Sequence, residues 1–496
     1  MKFARPRVKP VSLGELAQKF KIETNNSDLK ITGITLNTKS VEPGDLFVAL
    51  PGENSHGANF VPEAKSNGAV AVLTDTQGLK ALGKTDFPVI SIENPRHQLG
   101  EISSFVFGNP SESLKIFGIT GTNGKTTSAW LMRSGLEKCG IPTSLLGTAG
   151  ITIAGTNLPS ARTTPEAPEL QALFALALEK GSKAISMEVS SHALVLERIN
   201  GTKFVCTGFT NLSQDHLDFH KNMDSYFESK AKLFTKEFSN KAVITEVDIW
   251  GKKLIDNLEI PAVTLGGGVQ NDWRVNDITA ALGHVYFELI DPRKKSHKVT
   301  LGFAGAFNAY NAALVIAMAD QIGIDSKEFI NGIKDTQIPG RMQPVVIPGA
   351  ALGIVDYAHT PAAINNVLVA LKNQTQGKLI VVLGAGGNRD AEKRPFMGSA
   401  GEKFADKLII TDDNPRDENP AEIRNSILNG ISDKTKTLDI ANRAEAIKEA
   451  VKLSSPYDTI AVLGKGHETS QEIAGQINDF DDAKHLLEAL QEKFGK

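Results

Sequence analysis

The chain has 496 residues, 41% hydrophobic and 22% charged, with a formal net charge of -3. Its length exceeds what one hydrophobic core sustains, so about three domains are expected. The composition is that of a globular protein, and the small net charge excludes a generally basic nucleic-acid surface, so an anionic ligand must meet locally placed cations.

The start, "MKFARPRVKP", is basic, but no apolar stretch of signal length follows it. No membrane-spanning apolar run occurs anywhere, so we expect no signal peptide, no membrane insertion and a cytoplasmic location. Cys139 and Cys206 are too few and too distant in sequence for a disulfide framework or a thiolate metal site. Residues 1–94 carry short strand-like runs, "LFVAL", "AVAVL" and "FPVISI", between Gly/Pro turns, and form the first expected domain. Residues 95–338 form the second, with strands "KIFGIT", "KAISMEV" and "CTGFTNL" and the helical stretch "APELQALFALALEK". Pro339 and Gly340 break periodicity at "QIPGRMQPV". In residues 339–496 the apolar runs "LGIVDYA", "KLIVVLGAG", "DKLIITDD" and "TIAVLGKG" alternate with amphipathic helices, which predicts a parallel sheet with crossover helices.

The strongest local signal is "KIFGITGTNGKTTSAWL". An apolar strand runs into the glycine-rich loop Thr120, Gly121, Thr122, Asn123, Gly124, and Lys125, Thr126 and Thr127 open a helix. Backbone N–H groups of such a loop cradle phosphate oxygens, the lysine reaches the terminal phosphates, and the first threonine hydroxyl suits magnesium. Ile119 stands where the general phosphate-loop pattern has glycine, so a "GTNGKT" subtype is favoured. Either way, a nucleoside triphosphate is the expected ligand. Glu188 closes the strand in "KAISMEVSSHAL", where a carboxylate can hold magnesium. His216 and His220 have zinc-like helical spacing, but no glutamate follows His216 and no cysteine supports a structural site. Lys230, read alone, is a solvated lysine.

"GITGTNGKTT", "MEVSSHAL", "TNLSQDHLD", "SYFESKAKLF", "GAFNAYNAA", "IPGRMQPV" and "VDYAHTP" resemble, in order and spacing, the Mur ligase family of peptidoglycan synthesis. The resemblance spans nearly the whole chain. It implies an α/β protein of three domains: an N-terminal uridine-nucleotide-binding domain, a central P-loop ATPase-like parallel-sheet domain and a Rossmann-like C-terminal domain. It implies ATP-dependent amide synthesis through an acyl phosphate, in a monomer using two magnesium ions. Lys230 would carry a carbamate; Thr126 with Glu188 would hold one ion and His216 with Lys230 the other. Asn308, Arg341 and Asp356 resemble nucleotide contacts.

Leu36 and Thr38 resemble uridine contacts, and Thr163, Thr164, Ser190 and Arg198 contacts to the peptide of UDP-N-acetylmuramoyl-L-alanyl-D-glutamate. Leu196 stands where close relatives often carry glutamine, which puts one polar contact in doubt. "DNPR", Asp413, Asn414, Pro415 and Arg416, resembles the family's motif for meso-diaminopimelate, joined by Arg389, Gly464 and Glu468. These last residues sit in loops after apolar strands, so in an open parallel sheet they should converge. L-lysine is the alternative amino acid. A phosphate-loop motor and a binding module without chemistry fit less well, because Lys125, Glu188, His216 and Lys230 are all present and no second nucleotide-sensing segment is found.

Overall fold

The computed structural model describes residues 5–52, 54–158, 162–281 and 283–495. Among the described residues, three sheets of four or more strands follow one another along the chain, beside two two-stranded ones. The first has four parallel strands in sequence order: Gly33–Thr35, Asp45–Ala49, Ala71–Thr74 and Val89–Ser91. The helix Leu13–Phe20 in front of it starts with a capping box, in which the Ser12 hydroxyl accepts from Glu15 N and the Glu15 carboxylate accepts from Ser12 N. The helix Pro95–Val106 buries Leu99, Ile102 and Val106 in the core of this first sheet, together with Ala167 and Ala175 of the helix Ala167–Glu179. That shared core joins the first layer to the second.

The second sheet has eleven strands. At its centre Lys115–Thr120 lies between Ala184–Glu188 and Cys206–Phe209, all parallel. An antiparallel extension from Trp273 to Leu301 forms one edge. The third sheet has six strands, in the order Gln343–Val345, Leu352–Asp356, Thr459–Leu463, Leu379–Leu383, Lys407–Ile410 and Thr437–Asp439. Only the first pair is antiparallel.

The unbroken apolar runs have a simple cause. Strands covered by helices on both faces need apolar residues at every position rather than every second one. Ile116 and Phe117 enter cores on opposite faces of the central sheet, and Val381 and Val382 do the same in the third. One ion pair is sealed inside the third domain. Arg443 Nε and Nη2 donate to the two Asp482 oxygens at 2.7 Å each, with both side chains fully buried. Replacing Asp482 with alanine leaves that guanidinium uncompensated in the core. Such changes cost about 3–5 kcal/mol, so Asp482→Ala is expected to lower the denaturant midpoint of the third domain's transition; an unchanged midpoint would contradict this.

Candidate active site

The strand Lys115–Thr120 ends under the sheet's upper edge, and the chain turns through Gly121 (φ +144°) and Gly124 (φ +89°) into the helix Lys125–Lys138. Both glycines are in backbone conformations that side chains resist. A Cβ at Gly121 would also meet the Thr210 hydroxyl, and one at Gly124 the Asn311 amide. Thr120 and Thr127 are buried beneath the loop. Asn211 fixes the loop from outside by accepting from Asn123 N at 3.0 Å and donating to Asn123 O at 3.0 Å. Lys125 curls back, its ammonium donating to Gly121 O and Thr122 O at 2.8 Å.

The Thr126 hydroxyl donates to Glu188 Oε1 at 3.0 Å, and Thr148 N donates to the same oxygen at 2.8 Å. Thr163 joins this cluster through the Thr148 hydroxyl at 3.0 Å. Lys230 is buried on the helix Met223–Ala231, donates to Gly121 O at 2.8 Å and lies over the Tyr226 ring. Burial, reinforced by the charge of Lys125, holds its amine well below the ordinary lysine range. It is not a solvated lysine.

His216 does not share a helix with His220. It has φ +55° and caps the short helix Leu217–His220, while His220 turns to Ser191 Oγ at 2.9 Å. The helical spacing expected for zinc is therefore not formed. Burial pushes His216 down to about 3, so its ring is neutral at physiological pH and able to ligate a metal. Asp215 beside it is buried and faces the third domain. Burial alone would raise its carboxyl, but His359, His216 and Lys393 together hold it well below the carboxylate range.

Lys125, Thr126, Glu188, Ser190, His216 and Lys230 line one cavity with residues of the third domain. Arg341 reaches across to donate to the Thr126 hydroxyl at 3.0 Å and stacks on Tyr357. Lys393 pairs with Asp215 at 3.2 Å, and the His467 ring contacts Thr148 O at 2.9 Å. The nucleotide loop and the C-terminal sheet are thus already closed on each other. None of Lys393, His359, His467 and Glu472 was expected from the sequence; the ionisable loops after the strands contain His359 and His467, whereas Lys393 opens a helix and Glu472 lies in a strand.

Arg389, Asp413, Asn414, Arg416, Gly464 and Glu468 line the other side of this cavity. They come from three loops, each following a parallel strand: Leu379–Leu383, Lys407–Ile410 and Thr459–Leu463. Arg416 has a left-handed backbone (φ +53°), pinned by Arg416 N to Glu472 O at 3.1 Å and Ala474 N to Arg416 O at 2.7 Å. Its Nη1 donates to Gly387 O at 2.7 Å and its Nε lies 3.4 Å from the Glu472 carboxylate. The guanidinium is held at Nη1 and at Nε, and its residue borders the cavity. Pro415 shapes the loop but does not line the space.

Several expected residues are buried supports. Asn308 donates to Ala304 O and accepts from Asn311, whose amide lies against Gly124 of the loop. Asp356 accepts from Met342 N and Ala358 N, and burial raises its carboxyl. Thr164 donates to Glu188 O at 2.9 Å and accepts from Ser190 N. Arg198 pairs with Glu166 at 2.8 Å. Leu36 and Thr38 line a second, larger cavity of about 770 Å³ between the first sheet and the helix Ala167–Glu179, with Arg5, Phe47 and Arg96.

A glycine-rich strand-to-helix loop set against the ionic loops of the C-terminal sheet, with a larger cavity beside the first sheet, is the arrangement of a nucleotide-dependent enzyme of three domains. The chain belongs to the Mur ligase family of ATP-dependent amide-bond ligases: residues 30–106 match the Mur ligase family catalytic domain, 119–319 the Mur ligase middle domain, and 340–466 the Mur ligase glutamate ligase domain. It is 41% identical to the UDP-N-acetylmuramoyl-L-alanyl-D-glutamate–2,6-diaminopimelate ligase of Streptomyces avermitilis, over 98% of both chains. A solved structure of a ligase with that name superposes with a TM-score of 0.68 at 31% identity, over 98% of this chain and 99% of the other. The MurF ligase of Thermotoga maritima in complex with ADP shares the fold, with a TM-score of 0.66 at 20% identity over 93% and 97% of the two chains. Among the described residues no helix is long and apolar enough to cross a membrane.

Proposed function

We propose that this protein uses ATP to join meso-diaminopimelate to the D-glutamate of UDP-N-acetylmuramoyl-L-alanyl-D-glutamate, as a monomer in the cytoplasm. The observation that carries this reading is that Arg416 and the phosphate loop border one cavity. The relatives named as diaminopimelate ligases support it over nearly the full chain. The larger cavity with Leu36 and Thr38 would take the uridine end, and Thr163 and Ser190, which line the phosphate-loop cavity, would meet the peptide.

The glutamate carboxylate would attack the γ-phosphorus of ATP, giving an acyl phosphate and ADP. The amine of diaminopimelate would then attack the acyl carbon, and phosphate would leave as the amide forms. Lys125 would exchange its two loop carbonyls for phosphate oxygens and neutralise the transferring group. Arg341, already at Thr126, would approach the same phosphates from the third domain. Closure of these domains would align the reactants and exclude water.

Oxygen donors suit magnesium, and Thr126 with Glu188 offers a hydroxyl and a carboxylate side by side. Among the described residues no three His, Cys, Asp or Glu form a cage, which fits an ion completed by substrate phosphates and water. Thr126 with Glu188, and His216 with Lys230, would hold the two ions, whose bound charge neutralises phosphate oxygens. Lys230 would do so as a carbamate, because an ammonium repels a cation.

Diaminopimelate is lysine with a second carboxylate at its far end. A planar guanidinium gives that group two parallel charge-assisted hydrogen bonds, which L-lysine cannot accept. Arg416→Ala should cut kcat/KM for diaminopimelate by at least about a hundredfold, taking ~3 kcal/mol for a lost charged pair. The trace reaction with L-lysine should change much less. Phosphate release measured with each amino acid decides: equal losses with both would remove Arg416 from recognition, and a wild-type preference for L-lysine would overturn the substrate assignment.

A further inference from the structure

We propose that Lys465 is a positioning residue for the amino-acid substrate, acting through Asn414 and Glu468. Lys465 is fully buried and does not line the cavity, whereas Asn414, Gly464 and Glu468 around it do. Its ammonium donates to Asn414 Oδ1 at 2.9 Å and to Glu468 Oε2 at 3.1 Å. Asn414 Nδ2 donates to the same Oε2 at 2.7 Å, and Asn414 Oδ1 also accepts from Glu472 N at 3.0 Å. Lysine, asparagine and glutamate therefore form a closed three-membered network.

The backbone explains why the lysine points inward. Gly464 (φ +115°) and Gly466 (φ +55°) flank it, and a Cβ at Gly466 would strike Tyr357. The chain thus makes a tight turn with small residues on either side of one long cation. Buried ammonium groups are tolerated when paired, and the partners here are two cavity-lining groups from two different loops.

The network leaves one acceptor open. Glu468 Oε2 is used twice, while Oε1 makes no hydrogen bond among the described residues. Glu468 lines the cavity, so with Oε2 held by the network Oε1 remains available to accept from a substrate ammonium. Lys465 also places a cation among the carboxylates of Asp413, Glu468 and Glu472. A residue that holds a recognising group in place changes substrate affinity without touching the substrate.

This inference rests on the reading that Glu468 and Asn414 meet the amino acid. In steady-state assays of the full chain, Lys465→Met should raise KM for diaminopimelate at least about tenfold, the scale of a lost charged hydrogen bond. KM values for ATP and for the nucleotide-sugar dipeptide should stay within about twofold. Lys465→Gln keeps a neutral donor and should raise it less. A purely structural role predicts a lower kcat from a smaller active fraction with all three KM values unchanged, and that result would overturn the proposal. If Lys465→Met does not accumulate as folded protein, Lys465→Gln is judged by the same criterion, and an unchanged amino-acid KM there is equally decisive against it. The wild type separates the two questions: no turnover with diaminopimelate defeats the substrate reading, and the Lys465 comparison then proceeds with the amino acid that is accepted.

Discussion

Lys125→Ala is expected to lower ATP-dependent amide formation by at least about a thousandfold, the scale on which cations aimed at a transferring phosphoryl group act. The reason is geometric. Lys125 opens a helix at the end of a central strand, and its ammonium already rests on the loop whose N–H groups would hold the phosphates. Alanine removes the charge but keeps the helix, since it is the best helix former. Binding of the nucleotide-sugar dipeptide should be nearly unchanged, because the cavity lined by Leu36 and Thr38 is built from other segments. Calorimetric titration of that substrate, beside the phosphate-release assay, checks both halves. Near-normal turnover would remove Lys125 from phosphoryl transfer.

Lys230→Met should abolish turnover to a similar extent for a different reason. The buried amine donates to Gly121 O and is not paired with a carboxylate within ion-pair distance among the described residues. A core position that only stabilised the fold would favour an apolar side chain, because an amine loses solvation on burial. Methionine fills similar space without that loss, so the thermal midpoint should hold or rise while activity disappears. Lys230→Arg should be inactive too, since guanidinium forms no carbamate. Full activity in Lys230→Arg would sink the carbamate assignment, and a large fall in the midpoint of Lys230→Met would mean that the lysine serves the fold.

These expectations differ in how far they could be seen along the chain. The glycine-rich turn was legible because its geometry is local: two glycines at positive φ, followed by a lysine and a threonine that open a helix, define the turn on which the proposed phosphate site rests. The strands were legible for a related reason. Burial on both faces writes an unbroken apolar run into the sequence, and each run quoted from residues 339–496 contains a strand of the third sheet. The helix Pro95–Val106 shows the limit of such reading. Its sequence follows a turn-rich segment, yet its apolar face packs on the first sheet, a fact about partners rather than periodicity.

Side-chain roles divided in the same way. The four-residue spacing of His216 and His220 would suit a metal only on one helix, but the left-handed backbone at His216 puts it outside the helix that holds His220, and both rings pack against His192 and Tyr226. Lys230 looks like a solvated charge in the sequence but is buried, as are Lys465 and Asp215. Charge on a side chain says nothing about burial until a partner is placed beside it, and those partners lie on other loops. The chain by itself determined its strands, its nucleotide loop and its likeness to one family, because these depend on neighbours in sequence. Which cations face one cavity, and which hold them there, was decided only when parallel strands brought their carboxyl-end loops together.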